Sequence, residues 1–102
     1  MSIGIYKFTN KINGKVYIGQ SIHIERRFQE HCQQAKHSPK TIFHTALQKY
    51  GIENFLFEII ELCEDSQLDD KEKYYINKYN SLTPNGYNIQ LGGVDSHIVP
   101  ED

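Results

Sequence analysis

The sequence predicts a single α+β domain in which a small antiparallel sheet of about three strands is flanked by helices. Residues 4–19 read as two β-rich runs joined by a turn, residues 54–63 form another apolar run of strand length, and the other segments carry helical periodicity. The expected element order is β-β-α-α-β-α. In this chain of 102 residues, we expect residues 1–92 to form one domain with a modest core and residues 93–102 to be a polar tail or the start of a linker.

The predicted hairpin rests on alternation and on its turn. Tyr6 and Phe8 alternate with residues 5 and 7, and Val16 and Ile18 alternate with residues 17 and 19, the period of two that is typical of strands. Between the two runs, the Asn13-Gly14 pair favours the positive φ angles of tight hairpin turns. Each strand therefore presents one tyrosine, and antiparallel pairing is expected to bring both hydroxyls to one face.

Two helices are expected between the hairpin and the third strand. Ser21 is the candidate N-cap of the first helix, which covers residues 23–35. Thr41 opens the second helix over residues 42–50, and Gly51 is its expected stop. The apolar stripe of the first helix consists of Ile24, Phe28, Cys32 (or His31) and Ala35.

The second half of the chain predicts one strand and one helix. Residues 54–63 are continuously apolar apart from two glutamates, which favours a central strand buried on both faces. Ser66-x-x-Asp69 resembles a capping box at the start of the last helix, which continues to Tyr79. A turn then leads into a short extended piece over residues 87–89.

Charge is distributed unevenly along the chain. Net charge is −2, but residues 1–50 carry a balance of +6 and residues 51–102 a balance of −8. This asymmetry is compatible with a basic face for a phosphate backbone, and equally with an ordinary solvated surface.

Composition favours a cytoplasmic protein without a membrane segment. No apolar run approaches membrane-spanning length, and we expect the N-terminus to enter the first strand at once, without a signal peptide. Cys32 and Cys63 form no C-x-x-C pair, and we expect free thiols there rather than a disulfide.

Glu72 breaks the pattern of its helix. It lies four residues after Leu68 and four before Ile76, in the middle of the apolar stripe. A buried carboxylate is costly unless it is paired or bound to metal. The candidate explanations are a metal ligand, an internal salt bridge, or a position at the rim of the core that reaches solvent.

Arg27 and His31 lie four residues apart on the first predicted helix and are therefore neighbours on one face. Arginine and histidine near a pair of tyrosines are able to bind and polarise a phosphate. The pair is equally typical of a solvated helix surface, and Tyr6 and Tyr17 also fit the pattern of core or sheet-surface aromatics.

Motifs of other chemistries are absent from the sequence. It contains no Gly-rich phosphate loop, no G-x-S-x-G and no cysteine–histidine nucleophile pattern. The lack of several clustered carboxylates weighs against a two-metal nuclease. The other histidines show no metal-ligand spacing with an acid or cysteine, so no zinc site is expected. They are His23, His37, His44 and His97.

Over about residues 3–90, this set of positions resembles the GIY-YIG nuclease family, and its spacing is most similar to phage and intron homing endonucleases. The matching positions are Gly4-Ile5-Tyr6 and Tyr17-Ile18-Gly19 for the two named motifs, Arg27 and His31 for the helix motif, Glu72 for the metal-binding glutamate, and Asn88 for the late asparagine.

The resemblance implies metal-assisted hydrolysis of a DNA phosphodiester. Glu72 is implied as the ligand of Mg²⁺ (or Mn²⁺), an ion that suits one carboxylate together with substrate phosphate and waters. Tyr6 is implied as the group that takes a proton from the attacking water, which Tyr17 positions. Arg27 is expected to bind the scissile phosphate, and His31 to contact phosphate or assist proton transfer.

This scheme needs positive charge near Tyr6, because tyrosine has an unperturbed pKa of about 10. Lys15 is a candidate for that charge and for substrate binding, beside the arginine and the metal. Gly4, Gly19 and Asn88 are expected to be structural at the site.

DNA is the implied partner. The family's homing endonucleases usually carry a separate DNA-binding region; we expect none within these 102 residues, so a DNA-binding domain missing from this chain is a second candidate partner. The alternative function is a non-cutting nucleic-acid-binding module on the same scaffold.

Overall fold

The computed structural model describes residues 2–89, which form the predicted α+β domain with its predicted element order. The antiparallel sheet has the strand order β2-β1-β3. The strands are β1 (Gly4–Asn10), β2 (Val16–Ser21) and β3 (Phe55–Leu62), and the helices are α1 (Ile24–His37), α2 (Ile42–Tyr50) and α3 (Leu68–Tyr79). Short 3₁₀ turns cover Ile52–Asn54 and Asp65–Gln67. The predicted tail and the predicted domain end at residue 92 lie outside the described residues. Within residues 2–89, no helix combines the length and apolar character that crossing a membrane requires.

The central strand is β1, so the prediction of a central strand over residues 54–63 is wrong. Five of the seven residues of β1 are buried. In contrast, β3 pairs with β1 on one side, and its Leu56, Ile59 and Leu62 are 48%, 43% and 64% exposed. A continuous apolar run does not by itself distinguish a central strand from an edge strand with exposed apolar side chains.

The sheet separates two apolar clusters. Because successive side chains of a strand point to opposite faces, Tyr6 and Phe8 face α1 and α2, whereas Ile5 faces α3. Fully burying each such side chain stabilises the fold by about 1.5–3 kcal/mol. The first cluster contains Tyr6, Phe8, Ile24, Ala35, Phe43, Ala46, Leu47, Phe55 and Tyr87, and the second contains Ile5, Ile18, Leu68 and Ile76.

The N-cap of the first helix lies two residues later in the chain than the predicted N-cap, Ser21. Ser21 still pairs with the start of β1, so it is the last residue of β2. The N-cap is His23, whose Nδ1 accepts a hydrogen bond from the backbone N–H of Arg26 at 3.3 Å. The second helix has its predicted ends, with Thr41 as N-cap and Gly51 at a φ of +90°.

The capping box before α3 involves other residues than predicted. The Glu64 side chain accepts from the backbone at Gln67, and Gln67 Oε1 accepts from the Glu64 N–H at 3.1 Å. Ser66 and Asp69 therefore do not form the box. The helix itself runs to Tyr79, as predicted.

The last described segment lies along β2. The Asn88 side chain accepts from the N–H of Ile18 and donates to its C=O, both at 2.9 Å, as a neighbouring strand would. The Ser81 hydroxyl also donates to the side-chain oxygen of Asn88, Oδ1, at 2.7 Å. The Tyr87 N–H donates to the C=O of Val16 at 2.9 Å. These bonds fix β2 on the side away from β1.

Two histidines lie inside the domain between α1 and α2. His31 and His44 are 1% and 5% exposed, and His31 Nδ1 lies 2.8 Å from His44 Nε2. Burial, with the charge of Arg27 and the neighbouring ring of His44, lowers the pKa of His31 from 6.5 to about 2. Burial and Arg27 lower the pKa of His44 to about 4. Both imidazoles are therefore neutral near pH 7.

Acid should consequently destabilise the domain below pH 6.5. In the unfolded chain both imidazoles take up a proton near pH 6.5, whereas in the folded chain both stay unprotonated down to about pH 4. Their stabilising contribution is complete above pH 6.5 and is lost as the pH falls towards 4, at up to about 1.4 kcal/mol per pH unit for each histidine. Urea unfolding should show a loss of up to about 4 kcal/mol between pH 7 and pH 5.

Leucine substitutions provide the control for this pH dependence. The double variant His31→Leu, His44→Leu should lose most of the slope between pH 7 and pH 5. The variant His37→Leu, at an exposed position, should keep it. A double variant with the full wild-type slope would show that other groups cause the acid sensitivity.

Candidate active site

The position of Tyr6 depends on the glycine opposite it. Tyr6 and Gly19 are partners in the antiparallel register of β1 and β2, and the Tyr6 ring lies against the Gly19 backbone. A Cβ at position 19 would overlap Cζ and Oη of the tyrosine. At Gly4, a Cβ would overlap the carbonyl oxygen of Glu61 on β3. Both glycines therefore allow close approaches that any other residue would block.

The Tyr6 hydroxyl is buried and bonded to a histidine. Its oxygen lies 2.6 Å from His31 Nε2. Burial raises the pKa of Tyr6 well above 10, and Tyr17 and Glu72 raise it further, while the charge and hydrogen bonding of Arg27 lower it. Arg27 thus acts in the direction expected from the sequence, but burial outweighs it, and Tyr6 is a neutral phenol at pH 7.

Only one of the two adjacent arginines faces Tyr6. Arg27 is 31% exposed and interacts electrostatically with the Tyr6 hydroxyl, and its Nη1 lies 3.2 Å from Glu30 Oε1. Arg26 is 63% exposed, and its Nε lies 3.7 Å from the other oxygen of Glu30. The register of α1 therefore directs Arg27 towards the site and Arg26 towards solvent.

Tyr17 lies on the same face of the sheet as Tyr6. Its ring stacks on Phe43 at a centroid distance of 4.0 Å with an interplanar angle of 3°. The ring centroid is 6.5 Å from that of Tyr6 and 5.5 Å from that of His31. The stack holds the Tyr17 ring rigidly beside the Tyr6–His31 pair.

Glu72 reaches the site from the helix on the opposite face. It is 7% exposed, and its Oε1 accepts a hydrogen bond of 2.8 Å from Gln20 Nε2. The same nitrogen donates to Asp69 Oδ1 at 2.9 Å. Gln20 follows Gly19 directly along β2, and the charge of Glu72 acts on the pKa of Tyr6. The structure thus gathers Tyr6, Tyr17, Arg27, His31 and Glu72 around β2.

Two other predicted site residues lie apart from this group. Lys15 precedes β2 in the hairpin turn, where its N–H donates to Asn13 Oδ1 at 2.9 Å and its C=O accepts from Asn10 at 2.9 Å. The contacts that the described chain gives Lys15 are these backbone bonds, and its role in substrate binding stays a prediction. Asn88 contacts the backbone of Ile18, next to Gly19.

Sequence patterns did not predict His44 and Gln20 as residues of the site. The alternation along β2 contains a signal for Gln20, because position 20 shares a face with Val16 and Ile18 and so points towards α3. His44 carries no comparable signal. Its contact with His31 depends on how α2 packs against α1, which the local pattern does not determine.

Comparisons with known proteins show the family of this chain. The family described as the GIY-YIG catalytic domain matches residues 2–88. Uncharacterized protein 019R of Invertebrate iridescent virus 6 is 42% identical over 94 residues, which cover 86% of this chain and 34% of that protein. Putative endonuclease segB of Enterobacteria phage T4 is 37% identical over 89 residues, which cover 86% and 38%. The chain therefore spans about a third of the length of these relatives.

A solved structure also has the fold of this chain. The catalytic domain of the homing endonuclease I-TevI superimposes with a TM-score of 0.73 at 30% identity, and the match covers 86% of this chain and 98% of that one. The shared fold, the family match over residues 2–88 and the cluster around β2 agree with one another. The chain belongs to the GIY-YIG nuclease family.

Proposed function

We propose that this domain is a metal-dependent DNA endonuclease that hydrolyses phosphodiester bonds. One observation carries the proposal: Arg27 lies with Tyr6 and His31 on one side of β2, and Glu72 lies on the other side. A cation able to bind phosphate, a hydroxyl bonded to a histidine, and a buried carboxylate thus lie around the same strand, which supports the proposal. That segB is named a putative endonuclease, and I-TevI a homing endonuclease, supports DNA as the substrate.

The residues present fit a single hard cation. Within residues 2–89, no group of three or more His, Cys, Asp or Glu side chains is placed to hold a metal ion by itself. Glu72 is a buried oxygen ligand held by Gln20, with Asp69 on the same nitrogen. Mg²⁺ binds through one or two carboxylates plus phosphate and waters, and Mn²⁺ accepts similar oxygen ligands. Glu72 is therefore the proposed ligand, and the bound ion supplies stabilisation of charge on the leaving oxygen.

Arg27 binds the scissile phosphate in this proposal. Its guanidinium is permanently charged and offers donors in a planar fork that matches phosphate oxygens. It lies half-buried beside the Tyr6 hydroxyl, so a phosphate bound there is also next to the group that handles the proton. Glu30 holds one edge of the guanidinium and limits its motion.

Tyr6 transfers a proton in this proposal without becoming a phenolate. Its raised pKa excludes a standing anion, so it accepts the proton of the attacking water while its own proton passes to His31 Nε2. One O–H bond of water breaks and a new one forms on Tyr6, while the original Tyr6 O–H bond breaks and an N–H bond forms on His31. A phosphate on Arg27 offsets the charge that depresses the pKa of His31, which makes His31 a better acceptor.

Tyr17 and Asn88 position other parts of the site. The stacked Tyr17 ring lies near Tyr6 and orients the attacking water in the proposed reaction. Asn88 keeps β2 straight beside Gly19 through its two bonds to Ile18. In this proposal, a separate DNA-binding region supplies both affinity and target choice, because a chain with a net charge of −2 has little overall attraction for DNA.

A plasmid-nicking assay tests the proposal directly. Purified chain should convert supercoiled plasmid to open-circle or linear DNA with Mg²⁺ or Mn²⁺, and EDTA should stop the reaction. Non-specific affinity is about 10⁻⁴–10⁻⁶ M at physiological salt, so the assay needs protein in that range. Binding without cleavage under all these conditions would favour the non-cutting module instead.

Removal of the proposed metal ligand should abolish cleavage but not folding. Glu72→Gln keeps the shape of the side chain and an acceptor for Gln20, but loses the charge that binds a cation. Single-turnover cleavage should fall by more than about 100-fold. Changing a residue that only hydrogen-bonds a metal ligand costs up to about 100-fold in activity, and loss of the ligand itself should cost more. The melting temperature should stay equal or rise, because a buried charge is removed. Asp70→Asn, on the exposed side of α3, is the matched control and should cut normally. A Glu72→Gln variant at wild-type rate would remove Glu72 from the site.

The two adjacent arginines should differ in their effect on rate. Arg27→Ala should lose about 10²–10³ in single-turnover rate at saturating protein, by analogy with donors aimed at a transition state. Arg26→Ala should change the rate little, because Arg26 points to solvent. Equal losses, or a larger loss at Arg26, would contradict the proposed role of Arg27 in phosphate binding.

A further inference from the structure

His44 contacts the side of His31 that faces away from Tyr6. Its Nε2 lies 2.8 Å from His31 Nδ1, and both rings are buried. The backbone of His44 is fixed as well, because its N–H donates to the capping hydroxyl of Thr41 at 3.0 Å. His44 is therefore held in the first turn of α2 with its ring aimed at His31.

The hydrogen bonds along this row determine where each proton lies. The Arg27 guanidinium carries only donors, so the Tyr6 oxygen presents a lone pair to it and directs its own O–H elsewhere. Within residues 2–89, the acceptor at hydrogen-bond distance from this buried O–H is His31 Nε2, at 2.6 Å, and an Nε2 that accepts a hydrogen bond carries no hydrogen. A neutral imidazole without a hydrogen on Nε2 carries it on Nδ1. The His31 Nδ1–H therefore donates to His44 Nε2.

We infer that His44 is a positioning residue of the site. By accepting the Nδ1–H of His31, it holds His31 in the tautomer whose Nε2 lone pair receives the proton of Tyr6. In the other tautomer, His31 Nε2–H would donate to the Tyr6 oxygen, and His31 would have no lone pair for the proton of Tyr6. The kinetic part of this inference rests on the proposed nuclease function, whereas the tautomer is a property of the protein without DNA.

Substitutions that remove or preserve the acceptor separate this role from simple packing. His44→Leu fills the space but accepts no hydrogen bond. His44→Gln carries an amide oxygen near the position of Nε2. His37→Leu makes the same change at an exposed histidine of α1 and is the matched control. Nitrogen-15 NMR of the histidine rings reports the tautomer of His31, backbone amide spectra verify the fold, and single-turnover plasmid cleavage reports the rate.

We expect His31 to carry its hydrogen on Nδ1 in the wild type, in His37→Leu and in His44→Gln. His44→Leu should populate the Nε2–H tautomer and cut about 10–100-fold more slowly with unchanged DNA affinity, the usual cost of losing a group that orients a functional histidine. His44→Gln should recover most of the rate.

Three results would overturn the inference. They are a wild-type His31 with its hydrogen on Nε2, a His44→Leu variant with wild-type tautomer and rate, and a His44→Gln variant as slow as His44→Leu. If the wild type cuts no DNA, the nuclease proposal fails, but the ring spectra still decide whether His44 sets the tautomer of His31.

Discussion

The contact between the Tyr6 ring and the bare backbone of Gly19 determines the position of every other group in the site. Because no Cβ intervenes, the Tyr6 ring lies against the Gly19 backbone, and its hydroxyl oxygen lies 2.6 Å from His31 Nε2 on α1. Gln20, the next residue of β2, points to the opposite face and holds Glu72. The two halves of the site are therefore connected through one peptide of β2.

Burial raises the pKa of Tyr6 but lowers the pKa values of His31 and His44. It keeps the phenol protonated and both histidines neutral, so the resting site holds one fixed cation, Arg27, close to a row of neutral hydrogen-bonding groups. In a medium of low dielectric, that cation acts strongly on its neighbours and lowers the pKa of each histidine. A phosphate anion would relieve the same effect. The electrostatics thus couple the occupation of Arg27 to the basicity of His31.

The sequence was informative where a local pattern suffices. Alternation and the Asn13-Gly14 turn predicted the hairpin, and the break in an apolar stripe correctly singled out Glu72 as buried. Patterns failed where tertiary packing decides. The apolar run of residues 54–63 forms an edge strand, because the pairing partner and not composition determines which strand is central. His44 drew no attention, since its importance comes from one contact between two helices.

The two charged halves of the chain meet at this site. The basic half supplies β1, β2, α1 and α2 and with them Arg27, whereas the acidic half supplies α3 and Glu72. The sheet keeps Arg27 and Glu72 on opposite faces, on either side of β2. The two side chains therefore do not neutralise each other directly, and an anion at Arg27 and a cation at Glu72 are able to bind side by side. In the proposed reaction, this separation would let the phosphate contact Arg27 while Glu72 holds the metal ion. The same segregation leaves a net charge of −2 and hence weak attraction for DNA as a whole. We therefore expect the domain to act on DNA that another part of the protein or a partner holds in place.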